Sequence, residues 1–157
     1  MNTQSLQNKG VLAGLNHRLD RSMQRFDGLA WLALRATTGL LLMPHGAQKL
    51  FGMFGGGGIT GTAGFLESVG YPAPTLMAIL IGVVEFFGGL MITTGFMTRF
   101  AAVAVAVFMG FAVLFHLGNG FFWTARGFEY PVLWGIAAIF FAVKGGGAYS
   151  IDGRASA

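Results

Sequence analysis

The chain contains no cysteine. Disulfides, thiol relays, thiolate nucleophiles and cysteine-ligated iron–sulfur clusters are therefore excluded together. Charge is also scarce. Only 10% of the 157 residues are Asp, Glu, Lys or Arg, against about a quarter in a soluble domain. A water-soluble fold is excluded on that ground, and 54% hydrophobic residues point to a bilayer. The net charge of +4 comes from dispersed residues, with no polybasic run, so nucleic acid is not an expected partner. His, Asp and Glu show no tight ligand spacing, so no metal site is expected. The Gly55–Gly58 run lacks an adjacent Lys-Ser/Thr and precedes no strand, which excludes a phosphate-binding nucleotide loop. The leader before Asp27 is polar and has no apolar core before a cleavage site, so no signal peptide is expected.

What is abundant is apolar sequence and glycine, 26 residues of it, which suits close helix contact in lipid. A span needs roughly 20 apolar residues. Four segments qualify, at about Gly28–Phe51, Ala73–Met97, Phe100–Leu117 and Tyr130–Lys144. The expected fold is all-α: an integral membrane four-helix bundle over residues 28–153, behind a polar leader at 1–27. In the leader, Leu12, Leu15, Leu19 and Met23 recur at helical spacing beside Arg18, Arg21 and Arg25, which reads either as a short surface helix or as a disordered tail.

Lysine and arginine set the orientation. Lys9, Arg18, Arg21, Arg25, Arg99, Lys144 and Arg154 fall on one side, and only Lys49 and Arg126 on the other. Both termini are expected in the cytoplasm, with the loops at 52–72 and 118–129 facing outward. In the first loop, Thr60 or Thr62 is positioned to cap a short helix ending near Ser68. Phe121, Phe122, Trp123, Tyr130 and Trp134 match an interfacial aromatic belt.

Against this background the polar residues inside the spans need partners, because each costs several kcal/mol in lipid. At about 100° per residue, Arg35, Thr38, His45 and Lys49 share a sector of roughly 80°, with Gln48 at its edge. Glu85 lies on a small-residue face of the second span with Gly82, Gly89 and Thr93, and Ala102, Ala106 and Gly110 form a similar seam on the third. An Arg35–Glu85 ion pair is the expected way to keep both charges in the bundle, unless Glu85 serves as a protonatable group. Depth also brings His45, Gln48, Lys49, His116 and Glu129 to one outward-opening level, a candidate pocket for a quinone headgroup walled by aromatic rings. Each histidine reads equally as a hydrogen-bonded structural group. A haem between the two histidines has no supporting motif beyond the histidines themselves.

The chain resembles the DoxX family of small four-helix membrane proteins. The resemblance rests on Arg35, Gly39 and Pro44-His45-Gly46-x-Gln48-Lys49-Leu50-Phe51-Gly52 in the first span, and Gly82, Glu85, Gly88, Gly89 and Gly95 in the second. Glu129-Tyr130-Pro131 and Gly147-Ala148-Tyr149-Ser150-Ile151-Asp152 add to it. It implies a multi-pass protein of a bacterial-type inner membrane. It also links some relatives to respiratory redox chemistry, including thiosulfate:quinone oxidoreductase subunits, and others to oxidative-stress complexes. Two functions follow as expectations. One is a quinone-associated subunit whose membrane partner carries the other redox centre. The other is a non-catalytic accessory subunit, packed in a larger complex or a homo-oligomer. The residues themselves identify no catalytic group.

Overall fold

The computed structural model describes residues 14 and 16–155. Lys9, Leu12 and Leu15 of the leader lie outside the described residues. Among those described there are helices and turns but no strand. In chain order the helices are α1 (Asn16–Gln24), α2 (Asp27–Phe51), α3 (Gly58–Ser68), α4 (Pro74–Thr94), α5 (Thr98–His116), α6 (Glu129–Lys144) and α7 (Ile151–Ala155). The four long helices fall within a few residues of the apolar runs, because hydrophobic length alone delimits them.

Not all four meet the length and composition of a membrane span. α4 and α5 do, and α2 does so together with α1, from which it bends by 66°. α6 has 16 residues and rises about 24 Å, short of the roughly 30 Å hydrocarbon core. Two spans, or three counting the bent pair, are therefore evident among the described residues. Within the leader, Asn16–Gln24 is helical, and Arg25 and Phe26 form the turn into α2.

α2 packs along α4, and α5 along α6. Glycine decides how closely the first pair approaches. A Cβ on Gly39 would collide with the Gly89 carbonyl and Thr93, and one on Gly46 with Phe86 N and the Gly82 carbonyl. Gly82 in turn lies against Leu50, and Gly89 against Met43. The predicted face of α4 is thus correct, and its counterpart is a Gly39/Gly46 seam on α2. On α5 the expected seam holds at Ala102, which is fully buried, and at Ala106, which packs on the same core, but not at Gly110. Ala101, Ala102, Val105 and Met109 are buried against Ala138 and Phe141 of α6, whereas Gly110 is exposed with open space at its Cβ position. Phe100, Val103, Val107, Phe111 and Leu114 stand exposed along the other side of α5, an apolar face of the kind lipid covers.

α3 begins at Gly58, before either threonine, and no side chain caps it. The glycine run already supplies the start, since Gly58 holds φ +63° and leads straight into the helix. Ala63 and Leu66 of α3 are buried against Ala78 of α4.

The opposite end of the molecule is closed by side chains on helix termini. The last carbonyls of a helix have no partner in the helix itself, and at membrane depth water is not there to replace one. Arg35, 1% exposed, donates through Nη1 to the Ile92 and Thr93 carbonyls at 2.9 and 2.7 Å, and through Nη2 to Tyr149 O at 2.7 Å. Gly95 ends α4 with φ +72°, and its missing Cβ leaves room for the Arg35 guanidinium and Ser150. Arg99 Nη1 donates to Ala142 O and Val143 O at the end of α6, at 2.9 and 2.5 Å.

Asp152 supplies the reverse service for α5. Its carboxylate accepts from Met97 N–H (2.9 Å), Thr98 N–H (2.8 Å) and the Thr98 hydroxyl (2.7 Å). Ser150 Oγ accepts from Gly153 N–H and donates to Gly147 O, which shapes the entry to α7. The C-terminal segment is therefore strapped across the ends of α2, α4 and α5.

Two predictions follow from this packing. Gly46→Ala should lose about 1–3 kcal/mol through forced separation of α2 and α4. Gly110→Ala, in open space on a helix, should be neutral or gain up to about 1 kcal/mol. Reversible unfolding in detergent micelles measures both, and equal effects would disprove the seam. For Asp152, partial burial opposes ionisation, but the Thr98 and Met97 donors and the nearby Arg35 charge outweigh it and hold the pKa below the ordinary carboxylate value. Its contribution is therefore present above the unfolded carboxylate pKa and is lost as pH falls through the lowered folded value. Asp152→Asn should flatten that acid-side loss in a thermal-unfolding series against pH.

Candidate functional site

The glycine seam sets which residues of α2 face which residues of α4. Gly39 lies beside Gly89 and Thr93, Gly46 beside Gly82 and Phe86, and Arg35 beside Gly95. At that register Glu85 stands near the level of His45, about ten residues, or roughly 15 Å, from Arg35. The expected Arg35–Glu85 pair does not form, because that offset exceeds the reach of an arginine and the α4 carbonyls lie nearer. Both residues are buried, as expected, but each has a different partner.

Glu85 pairs with Lys49. Lys49 Nζ lies 2.6 Å from Glu85 Oε2, with the carboxylate side chain 7% and the lysine side chain 28% exposed. Lysine side chains on a helix lean toward its N-terminus. Lys49 therefore reaches back one turn, passing His45 O at 3.4 Å, to meet Glu85. Around Glu85 the backbone of α4 widens into a π-type turn over Val84–Gly88. Such turns arise where an extra residue is accommodated in a helix and often mark functional positions.

His45 is on the exposed flank of α2, with its ring edge-on to Trp134 of α6 at 6.3 Å between centroids. Trp134 Nε1–H donates to Thr38 O at 3.2 Å, tying α6 to α2. An aromatic series continues from Trp134 to Tyr130 (5.7 Å) and from Tyr130 to Trp123 (5.8 Å) in the loop. Phe51 packs on Phe86, also beside the pair.

The other residues expected in one pocket are distributed differently. Gln48 is next to the pair in sequence, but its Nε2 donates to Phe54 O at 3.2 Å. His116 Nδ1 lies 2.6 Å from Arg126 O, and Asn119 donates to the same carbonyl at 3.2 Å. A carbonyl only accepts, so this contact requires the proton on Nδ1. Glu129 opens α6, where the helix dipole favours a negative side chain. Among the described residues no hydrogen bond or ring contact joins His116 or Glu129 to His45, Gln48 or Lys49. The structure gathers His45, Lys49, Glu85 and Trp134, and leaves His116 and Glu129 to organise the 117–128 loop. Among the described residues no group of three or more His, Cys, Asp or Glu is placed to hold a metal ion.

The Lys49–Glu85 contact was accessible from sequence only through register. Both residues lie on the faces that carry Gly46 and Gly82, but pairing them requires knowing that these two glycines touch. Trp134 was read as part of an interfacial belt. Its contact with His45 depends on how α6 lies against α2.

A helical protein with apolar spans and an ion pair buried between two of them is a small integral membrane protein. It belongs to the DoxX family, whose match covers residues 30–118, including Arg35, His45, Lys49 and Glu85. The "Inner membrane protein YqjF" of Escherichia coli (strain K12) is 37% identical over 131 residues, 83% of this chain and 95% of its own length. "Putative oxidoreductase CatD" of Bacillus subtilis (strain 168) is 31% identical over 131 residues, 83% of this chain and 90% of its own. An "Uncharacterized protein" of Haemophilus influenzae is 31% identical over 129 residues, 77% of this chain and 87% of its own. No solved structure matches this chain.

Removing one member of the ion pair strands the other charge in an apolar interior, whereas removing both does not. Lys49→Met or Glu85→Leu alone should therefore cost about 3–5 kcal/mol, and the double variant should recover most of it. Detergent unfolding across the double-mutant cycle checks this, and simple additivity would mean the pair contributes no coupling.

Proposed function

We propose that this protein is a multi-pass subunit of a bacterial inner membrane that binds a quinone beside the Lys49–Glu85 pair. It works with a membrane partner that carries the other redox centre. The observation behind this reading is the charged pair itself, held between apolar helices at a widened turn, with an exposed histidine at the same level. A charge pair kept at that depth is unfavourable for stability compared with apolar packing, so a chemical use explains its presence better than a structural one.

The roles follow from the donors present. His45 donates a hydrogen bond to a quinone carbonyl, on the flank where α2 opens toward Trp134. Lys49 Nζ donates to Glu85 Oε2 at 2.6 Å, and the pair can relay a proton to or from the ring. Reduction of a quinone takes two electrons and two protons. This chain offers groups for the protons, while the electrons come from the partner. The word oxidoreductase in the name of the Bacillus relative is in keeping with such a role. The lysine and arginine distribution supports both termini on the cytoplasmic side, with α6 serving as a short fourth span.

The test is quinone content. After mild extraction, the wild-type protein should retain quinone in near-stoichiometric amount by solvent extraction and chromatography. His45→Ala should reduce it about tenfold, the loss expected for one well-placed hydrogen bond. Its unfolding temperature should hardly change, because His45 is exposed and makes a single ring contact. Full quinone content in the variant, or none in the wild type, would refute the site and favour an accessory subunit that acts only by packing with its neighbours.

A further inference from the structure

A second site, independent of the quinone reading, lies at the Arg35 end. An open hollow of about 580 Å³ sits between the start of α5 and the end of α6, over the Gly145–Gly147 turn. Arg99 and Lys144 line it. Arg99 is fixed by Nη1 on the Ala142 and Val143 carbonyls, while its Nε and Nη2 lie beside Gly145. Among the described residues the only ion pair is Lys49–Glu85, so neither Arg99 nor Lys144 has an acidic partner there. Asp152, the acidic group on the wall, is already engaged by the Met97 and Thr98 donors, and Arg35 stands close to it. The surplus charge of the hollow is positive.

Its depth and neighbourhood narrow the ligand. Arg99 begins one apolar helix and Lys144 ends the next, so the hollow lies where hydrocarbon gives way to headgroups. Across the glycine turn a mostly apolar slot of about 330 Å³ is lined by Asp27, Ala30, Trp31, Leu34 and Phe140. Trp31 links the two spaces. Its indole N–H donates to Gly145 O at 3.2 Å, and its ring lies tilted on Phe140 at 4.9 Å. Two unpaired cations next to an apolar slot suit an amphiphile with a negative head.

We propose that this hollow binds the headgroup phosphate of an anionic phospholipid between Arg99 and Lys144, with an acyl chain in the Trp31–Phe140 slot. The guanidinium presents directed N–H donors to phosphate oxygens, and the lysine adds a point charge. A free phosphate would satisfy the same cations but would have no use for the slot.

The full chain in mild detergent, given equimolar phosphatidylglycerol and phosphatidylcholine, is read by native mass spectrometry. The wild type should hold one phosphatidylglycerol with at least tenfold preference. Lys144→Gln should lower that preference about fivefold, the factor one cation is worth near an anionic surface, with an unchanged unfolding temperature. Arg99→Gln removes a helix cap as well and is interpreted beside its own unfolding curve. In a variant with Trp123→Phe and Trp134→Phe, acyl-brominated phosphatidylglycerol should quench Trp31 fluorescence more than the brominated choline lipid does. Equal retention of the two lipids, or undiminished preference in Lys144→Gln, overturns the proposal. Displacement of the lipid by millimolar inorganic phosphate also overturns it, because the cations would then serve a free anion.

Discussion

An apolar environment gives the end of a helix no water to bond with, and most of this structure's polar residues answer that constraint. Arg35 is the main case. Buried almost completely, it bonds two of the last carbonyls of α4 and the Tyr149 carbonyl of the C-terminal segment. A charged side chain that satisfies backbone carbonyls keeps three hydrogen bonds that lipid would otherwise leave unmade. The turn after α4, the strap before α7 and the position of α2 between them all depend on that guanidinium. Asp152 and Arg99 extend the principle to the start of α5 and the end of α6.

Along α2 the glycine seam divides the polar residues between two tasks. With Gly39 and Gly46 touching α4, Arg35 is level with the end of that helix, and His45 is level with its widened turn. One end of α2 is therefore occupied with closing the fold. The other presents Lys49 to Glu85 and leaves His45 on an exposed flank near Trp134. Because Arg35 and the level of Glu85 are roughly 15 Å apart along α2, a substitution in the strap and one at the charged pair should report on different properties.

The family match runs from α2 through α5 and so contains Arg35 with its bonds to the Ile92 and Thr93 carbonyls, and the charged pair. It stops before α6, which brings Trp134 to His45, and before the strap that carries Tyr149 and Asp152. Family membership thus covers the charged groups of the bundle interior. The α2–α6 flank and the hollow beside Arg99 draw also on residues beyond the segment that the family model matches.

Hydrophobic length and charge scarcity were enough to place the four long helices to within a few residues and to assign the chain to a membrane. Those are local properties, set by the solvent each segment requires. Partner choice was not local. Lys49 and Arg35 share one face of one helix, and nothing in their spacing says which of them meets Glu85. That choice depends on the axial register of α2 against α4, set by where the glycines let the two backbones touch. Likewise the small-residue spacing of α5 did not reveal that Gly110 faces open space while Ala101 and Val105 face α6. The depth argument that grouped His116 and Glu129 with His45 assumed that equal height implies proximity. In the folded chain the loop backbone claims His116 through Arg126 O before it can reach α2. Local solvation could be read from composition, but the contacts between helices emerged only once side-chain size had fixed their registers.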